Sequence, residues 1–156
     1  MKIHRKFVKK GATGMIRRLF LMTFLLLLVG AISACSSTSQ TASVELPDYV
    51  KHASHTVQTA YRYAVEHPEM LDHQPCYCGC GSMGHIHNLH CYVKEIKDDG
   101  TVIFDNHAAG CGICIDITLD VMRLSAEGKS QLEIRRYVDA KYSPFGPSTD
   151  TPLPEA

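Results

Sequence analysis

Six cysteines fall between positions 76 and 114: Cys76, Cys78 and Cys80 in Pro75-Cys-Tyr-Cys-Gly-Cys-Gly81, then Cys91, then Cys111 and Cys114 in Cys-Gly-Ile-Cys. His85, His87, His90 and His107 stand in the same stretch. Thiolate is a soft donor and imidazole a borderline one, and their density exceeds what a small apolar core requires. Any fold of this segment has to accommodate several sulfurs, and a metal site is the arrangement that the density suggests.

The ends of the chain set the context. Lys2, Arg5, Lys6, Lys9, Lys10, Arg17 and Arg18 precede the apolar run Leu19 to Gly30, which is too short for a permanent membrane span and reads as part of an export signal. Met15-Ile-Arg-Arg would already make a sufficient basic start, so Met15 is an alternative beginning to Met1. The run ends in Ile32-Ser33-Ala34-Cys35, which resembles the lipobox of bacterial lipoproteins and implies that Cys35 is a lipid anchor after cleavage. The other reading is an ordinary secretory signal with a chance cysteine. Seven of the sixteen Lys and Arg residues leave with the signal and all sixteen Asp and Glu residues stay, so the processed chain is about seven charges negative. An acidic domain without a basic stripe repels phosphate backbones, which argues against nucleic-acid binding. Setting Cys35 aside leaves six cysteines, and outside the cytoplasm an even number also invites a disulfide framework.

Four regions follow. Residues 1–34 read as a lipoprotein signal, 35–44 as a lipid anchor and polar tether, 45–145 as one cysteine- and histidine-rich domain, and 146–156, with Pro147, Pro152 and Pro154, as a mobile tail. The domain can bury only a modest core and would gain from metal or disulfides. Val50, Ala53, Val57, Ala60, Tyr61 and Ala64 predict one amphipathic helix from Pro47 to His67, with Pro68 ending it. Residues 75–84 read as a turn-rich loop. Lys97-Asp98-Asp99-Gly100 separates two β-prone runs, Cys91 to Ile96 and Thr101 to Phe104, and predicts a hairpin. A second helix is expected from Gly112 to Glu127, with Ile113, Ile117, Val121 and Leu124 on one face and Gly128 as its stop. Ser130-Gln-Leu-Glu133 matches a capping box for a third, with Leu132, Ile134, Tyr137 and Val138 as its apolar set and Pro144 as its limit. The expected fold class is α+β: a small helical domain with a β-hairpin and a cysteine-rich metal-binding loop.

In a tight turn, Cys76, Cys78 and Cys80 can bring two or three sulfurs around one ion, with Gly79 and Gly81 removing side-chain bulk. Three disulfides would use the same run awkwardly, because each cysteine needs its own correctly oriented partner. Cys111 and Cys114 open a helix, whose N-terminus favours thiolate on the first cysteine, and such a pair serves either metal binding or thiol-disulfide exchange. His107 adds a donor four residues earlier. Cys76, Cys78, Cys80, His85, Cys91, His107, Cys111 and Cys114 make eight donors, enough for two four-coordinate sites or one sulfur-bridged dinuclear site. Their softness favours Cu(I) or Zn(II) over Mg(II), Ca(II) or Mn(II). His87 and His90 are weaker ligand candidates, Met83 is a thioether candidate for Cu(I), and His52, His55, His67 and His73 read as surface residues. Asp105 reads as a partner to a ligand and Asp116 as a solvent-facing helix residue. No His-Glu-x-x-His or comparable carboxylate motif accompanies the cluster, so the metal reading does not extend to hydrolysis.

Pro75-Cys-Tyr-Cys-Gly-Cys-Gly81, Gly84-His85, Cys91, Asp105-x-His107 and Cys111-Gly-Ile-Cys114 resemble the PCYCGC-motif lipoproteins of Bacillus and related Gram-positive bacteria. The likeness extends to Ala60-Tyr61, His67-Pro68-Glu69 and Gly128-Lys-Ser-x-x-Glu-Ile134. It implies a lipid-anchored location and marks the eight donors as the family pattern, with His87 and His90 peculiar to this chain. Cys111 to Tyr142 is also similar to the thiol-reductase subunit of cytochrome c maturation, although Gly112 stands where that family typically has proline. The combined expectation is a lipoprotein on the extracytoplasmic face of the cell membrane, held to the bilayer through Cys35. It would bind one or two soft ions, Cu(I) or Zn(II), for storage, delivery or sensing rather than catalysis. The alternatives are a thiol-disulfide oxidoreductase using Cys111 and Cys114, and a metal- or disulfide-stapled interaction module.

Overall fold

The computed structural model describes residues 44–155; the expected signal, the anchor at Cys35 and most of the tether lie outside the described residues. Among the described residues, no helix is long and apolar enough to cross a membrane. The helices are α1 (Asp48–Lys51), α2 (His55–Glu66), α3 (Pro68–Leu71), α4 (Gly112–Ala126) and α5 (Gln131–Tyr142). The strands β1 (Val93–Ile96) and β2 (Val102–Phe104) pair antiparallel. Short 3-10 turns at Cys80–Met83, Asn88–Cys91, His107–Gly110 and Ser143–Phe145 link them. This is the α+β arrangement expected, with a cysteine-rich cluster between its parts.

The helix expected from Pro47 to His67 is divided in two. Ser54 is extended and its side chain accepts from the Val57 N–H, starting α2 afresh, while the Gln58 amide donates to the Lys51 and Ala53 carbonyls across the break. A residue that caps a new first turn satisfies one of the N–H groups a helix start leaves open, so the chain can bend there. Pro68 ends α2 as expected, and also occupies the first turn of α3, where its missing N–H costs nothing.

Ala60, Tyr61 and Ala64 of α2 are buried, as are Ile117, Val121 and Leu124 of α4 and Ile134 and Val138 of α5. These residues belong to one core, in which α4 lies against both α2 and α5. Gly128, at φ +78°, terminates α4: its N–H donates to Ser125 O and the next, Lys129 N–H, to Leu124 O. The capping box of α5 is formed, with Ser130 Oγ accepting from Glu133 N and Glu133 Oε2 accepting from Ser130 N at 2.8 Å. Asp120 joins the two helices, accepting from Tyr142 Oη at 2.7 Å and from Lys141 Nζ. Burial pushes its pKa up, but these bonds and that from Arg123 outweigh burial and hold the carboxyl below its ordinary value.

In the hairpin, Val93 faces Phe104 and Ile96 faces Val102, with an irregularity between Val93 and Glu95. The reversal is closed by Gly100 N–H to Lys97 O, with Gly100 at φ +82°. Cys91 falls outside the strand that sequence assigned to it. Tyr92 N–H donates to Leu89 O, so Cys91 ends a 3-10 turn and is completely buried. One further bond, Asp105 N–H to Tyr92 O at 2.8 Å, continues beyond the strands and leads the chain into the turn that carries His107.

Composition reads residues 146–156 as a mobile tail, but residues 146–154 pack back onto the domain. Thr149 and Thr151 are buried. Thr149 N–H donates to Cys76 O at 3.0 Å, while Thr149 Oγ1 accepts from Cys76 N–H at 2.9 Å. Thr151 Oγ1 donates to Ile86 O, and Arg135 Nη1 donates to the carbonyls of His73, Thr151 and Pro152. The tail is thus a strap across both ends of the cysteine loop. Its hold comes from backbone and hydroxyl bonds to residues more than sixty positions away, a signal that proline content does not carry. Thr149→Val leaves the buried Cys76 N–H without its acceptor, so chemical denaturation should show a loss of about 1–3 kcal/mol. The exposed neighbour Asp150→Ala should change stability by less than about 0.5 kcal/mol.

Candidate metal centre

The loop from Pro75 to Gly84 turns twice at glycine. Gly79 (φ +84°) and Gly84 (φ +88°) bracket the 3-10 turn Cys80–Met83, a backbone geometry that a side chain would strain. Within this loop Cys76 and Cys80 point inward and are buried, while Cys78 is half-buried. The Asn88–Cys91 turn supplies Cys91, the turn after β2 supplies His107, and the start of α4 supplies Cys111 and Cys114.

All eight donors expected from the sequence meet in one cluster. Cys114 Sγ lies 3.2 Å from Cys111, 3.3 Å from Cys91, 3.4 Å from Cys76 and 3.6 Å from Cys78. Cys76 and Cys78 are 3.2 Å apart, and Cys91 is 3.8 Å from both Cys76 and Cys80. His107 reaches Cys78 through Nε2 at 3.3 Å, and His85 reaches Cys91 through Nδ1 at 3.6 Å. A disulfide requires about 2.05 Å between sulfurs, and the six cysteines are free thiols. A tetrahedral ion with sulfur at about 2.3 Å sets its ligands about 3.8 Å apart, close to the spacings found. Cys78, His107, Cys111 and Cys114 have all four donor atoms within 4.8 Å of one another. The donor chemistry and its spacing therefore fit a soft metal ion.

Asp105 supports both histidines. Its Oδ1 accepts from the His107 backbone N–H at 2.7 Å, and its Oδ2 faces His85 Nε2 at 3.9 Å. The carboxylate thus faces the Nε2 edge of the His85 ring while Nδ1 faces the Cys91 sulfur. The Asp105 carbonyl is held in turn by Tyr61 Oη at 2.8 Å and Tyr49 Oη at 3.1 Å. Tyr61 Oη also accepts from Ala109 N–H, so α2 grips the His107 turn on both sides. Behind Cys114, Tyr92 Oη lies 2.8 Å from the Cys114 carbonyl and 2.7 Å from Thr118 Oγ1, which donates to Asn88 Oδ1. Tyr61 and Tyr92 pack edge to face at 5.0 Å between ring centres. Burial pushes both hydroxyls well above their ordinary pKa, so they remain donors.

The thiols are unequal. Bonds from Cys114, Cys80 and Cys91 lower the pKa of Cys76, and bonds from Cys91 and His107 bring Cys78 down to about 5 despite its burial. Cys80 and Cys114, which face the Cys76 thiolate, and Cys91, which faces Cys114 and Cys76, are pushed up. Cys111 is pushed up by burial. Bonds from neighbouring groups favour thiolate at Cys76 and Cys78, whereas burial opposes it at Cys111, against the pull of the helix N-terminus.

Other candidates lie apart. His87 stacks on His90 with ring centres 3.8 Å apart, and burial lowers the pKa of His87 to about 4 and that of His90 as well. His90 Nδ1 accepts from Ile86 N–H, and neither ring has a close contact to a cluster sulfur. Met83 is exposed, as are His52, His55, His67 and Asp116, while His73 is half-buried. Sequence reading treated Tyr61 as packing and passed over Tyr92, Asn88 and Thr118. The Tyr61 and Tyr92 hydroxyls sit in otherwise apolar surroundings, a demand for partners that was the available signal.

The chain thus carries a cysteine- and histidine-rich centre with the donor chemistry of a metal site, on a small helical frame. The family described as "Protein of unknown function with PCYCGC motif" matches residues 26–154, and the chain belongs to it. No curated protein and no solved structure matches the chain.

Asp105→Ala should lower Zn(II) affinity about 10- to 100-fold, the range typical for losing a carboxylate that orients a histidine ligand. Competition against a chromophoric chelator measures this. The exposed Asp116→Ala should leave the affinity unchanged.

Proposed function

We propose that this protein is an extracytoplasmic lipoprotein, anchored to the cell membrane through Cys35, that binds one or two soft metal ions for storage, delivery or sensing. The observation that carries the metal reading is the convergence of six thiols and two imidazoles, from four separate segments, with neighbouring donors 3.2–3.8 Å apart. Cu(I) and Zn(II) are the ions such donors prefer. The basic and apolar N-terminal segment with Ser33-Ala34-Cys35 supports the location. Asp105 borders the cluster and is engaged with His107, His85 and Lys94, which suits holding ligands rather than serving as a free base.

A thiol-disulfide oxidoreductase has one observation in its favour, the half-buried Cys111 placed 3.2 Å from Cys114 at a helix start. Against it, Cys114 is completely buried among four sulfurs.

Protein purified without reductant, analysed for metal and then for thiols after metal removal, tests the reading. At least one Zn(II) or copper ion per chain and six free thiols in the soluble domain are expected. Metal-free protein with three stable disulfides would overturn the proposal, and a lone reducible Cys111–Cys114 disulfide with dithiol-transfer activity would favour the oxidoreductase. For the location, Cys35→Ala should move the full-length chain from the membrane fraction to a soluble or unprocessed form, measured by fractionation and intact mass. Unchanged membrane association with no lipid mass on Cys35 in the parent would remove the anchor.

A further inference from the structure

The eight donors differ in how they are enclosed. Cys78, Cys111 and His107 are half-buried, and together with Cys114 their four donor atoms lie within 4.8 Å of one another. Cys111 lines a cleft of about 320 Å³ whose walls include Ala108, Ala109, Gly110 and Gly112. A side chain added at Gly110 or Gly112 would meet open space, so solvent and an incoming ligand can approach Cys111 there.

The other four donors are Cys76, Cys80, Cys91 and His85. Their cysteines are 0%, 1% and 0% exposed respectively, and they gather about Cys91, with Cys80 and Cys76 at 3.8 Å and His85 Nδ1 at 3.6 Å. His85 reaches a second cleft, beside Met83, His90, Lys94 and Asp105. Its side chain is only 11% exposed, with Asp105 beyond it. The C-terminal strap closes the remaining side by pinning Cys76 through Thr149 and the residue after His85 through Thr151. The two groups meet through sulfur, with Cys76 to Cys78 at 3.2 Å, Cys76 to Cys114 at 3.4 Å and Cys91 to Cys114 at 3.3 Å, and His107 also lies within 4.8 Å of Cys80 and Cys91.

Resting on the metal-binding reading above, we infer that the cluster is two unlike Cys3His sites side by side: an enclosed site of Cys76, Cys80, Cys91 and His85 that retains its ion, and an open site of Cys78, His107, Cys111 and Cys114 that exchanges its ion through the Cys111 cleft. Exchange is associative. An incoming ligand adds to the ion from the cleft, Cys111 is displaced and takes a proton from solvent, and the ion leaves with its charge as the remaining donors follow. The sulfurs of the enclosed site are covered by the described residues, so release waits for the strap and loop to open. One ion then secures the fold while the other is available to a recipient, which divides structural and functional roles between two halves of one centre.

The test uses the soluble domain with its strap intact, loaded with two equivalents of Zn(II) and challenged with excess EDTA. Two ions per chain are expected, one leaving at least about 100-fold more slowly than the other. In Cys111→Ser the fast phase should vanish or accelerate beyond detection while one slowly released ion remains. Loading with ¹¹³Cd(II) should give two resonances, both shifted as expected for three sulfurs and one nitrogen. Thr149→Val should speed the slow phase and leave the fast phase unchanged, a readout that survives if variants of the enclosed cysteines fail to fold. Two ions released at one rate, a single ion per chain, or loss of both ions in Cys111→Ser would each overturn the inference while leaving metal binding itself intact. A chain that takes up none of Zn(II), Cd(II) and Cu(I) would instead overturn the metal reading.

Discussion

Cys114 has four sulfurs within 3.6 Å, and the rest of the domain is arranged around that crowding. It sits in the first turn of α4, completely buried, so every sulfur that meets it, apart from Cys111 at the start of the same helix, must be carried there by another segment. The cysteine loop, the Asn88–Cys91 turn and the turn after β2 each end at this point. Unpaired thiols would gain little from such proximity, since their hydrogen bonds are weak. An ion that takes several of them as thiolate ligands supplies a much larger free energy, and in small metal-binding domains that energy is folding free energy.

Two tyrosines translate this demand into a frame. Tyr61 projects from α2 and holds the Asp105–Ala109 backbone by donating to one group and accepting from another. Tyr92 precedes β1 and meets the Cys114 carbonyl and Thr118 on α4. Their rings pack edge to face, so α2, the hairpin and α4 are registered through one aromatic contact as well as through hydrogen bonds. Asp105 lies where these supports converge and passes them to both histidines. The order of dependence runs from packed helices to tyrosine hydroxyls, to Asp105, to the His107 backbone and the side of the His85 ring.

Several local features were legible because they depend on residues a few positions apart. The Ser130-Glu133 capping box, the Gly128 stop and the Lys97–Gly100 reversal stand where the sequence reading put them. The break at His52–Ser54 was not legible from apolar spacing, since Val50 and Val57 keep a helical rhythm across it while Ser54 caps a new helix. Cys91 looked like the first residue of a strand because β-prone residues follow it, but the Tyr92-to-Leu89 bond turns the chain before pairing begins. The packing of Thr149 and Thr151 against the cysteine loop was invisible for a different reason: its partners lie more than sixty residues away.

By itself the sequence determined the inventory: six thiols, the histidines that accompany them, the helix caps, the hairpin turn and the family to which the chain belongs. These follow from donor chemistry and short-range backbone bonding, which act whatever the rest of the chain does. Tertiary structure alone decided which donors meet, and that His85 and His107 both border Asp105 while His87 and His90 stack on each other. It also decided that Cys76, Cys80 and Cys91 are enclosed, with the strap bonded to Cys76, while Cys111 borders a cleft. Proximity and burial are properties of packed segments, and the energy of each donor depends on neighbours that sequence order keeps far apart.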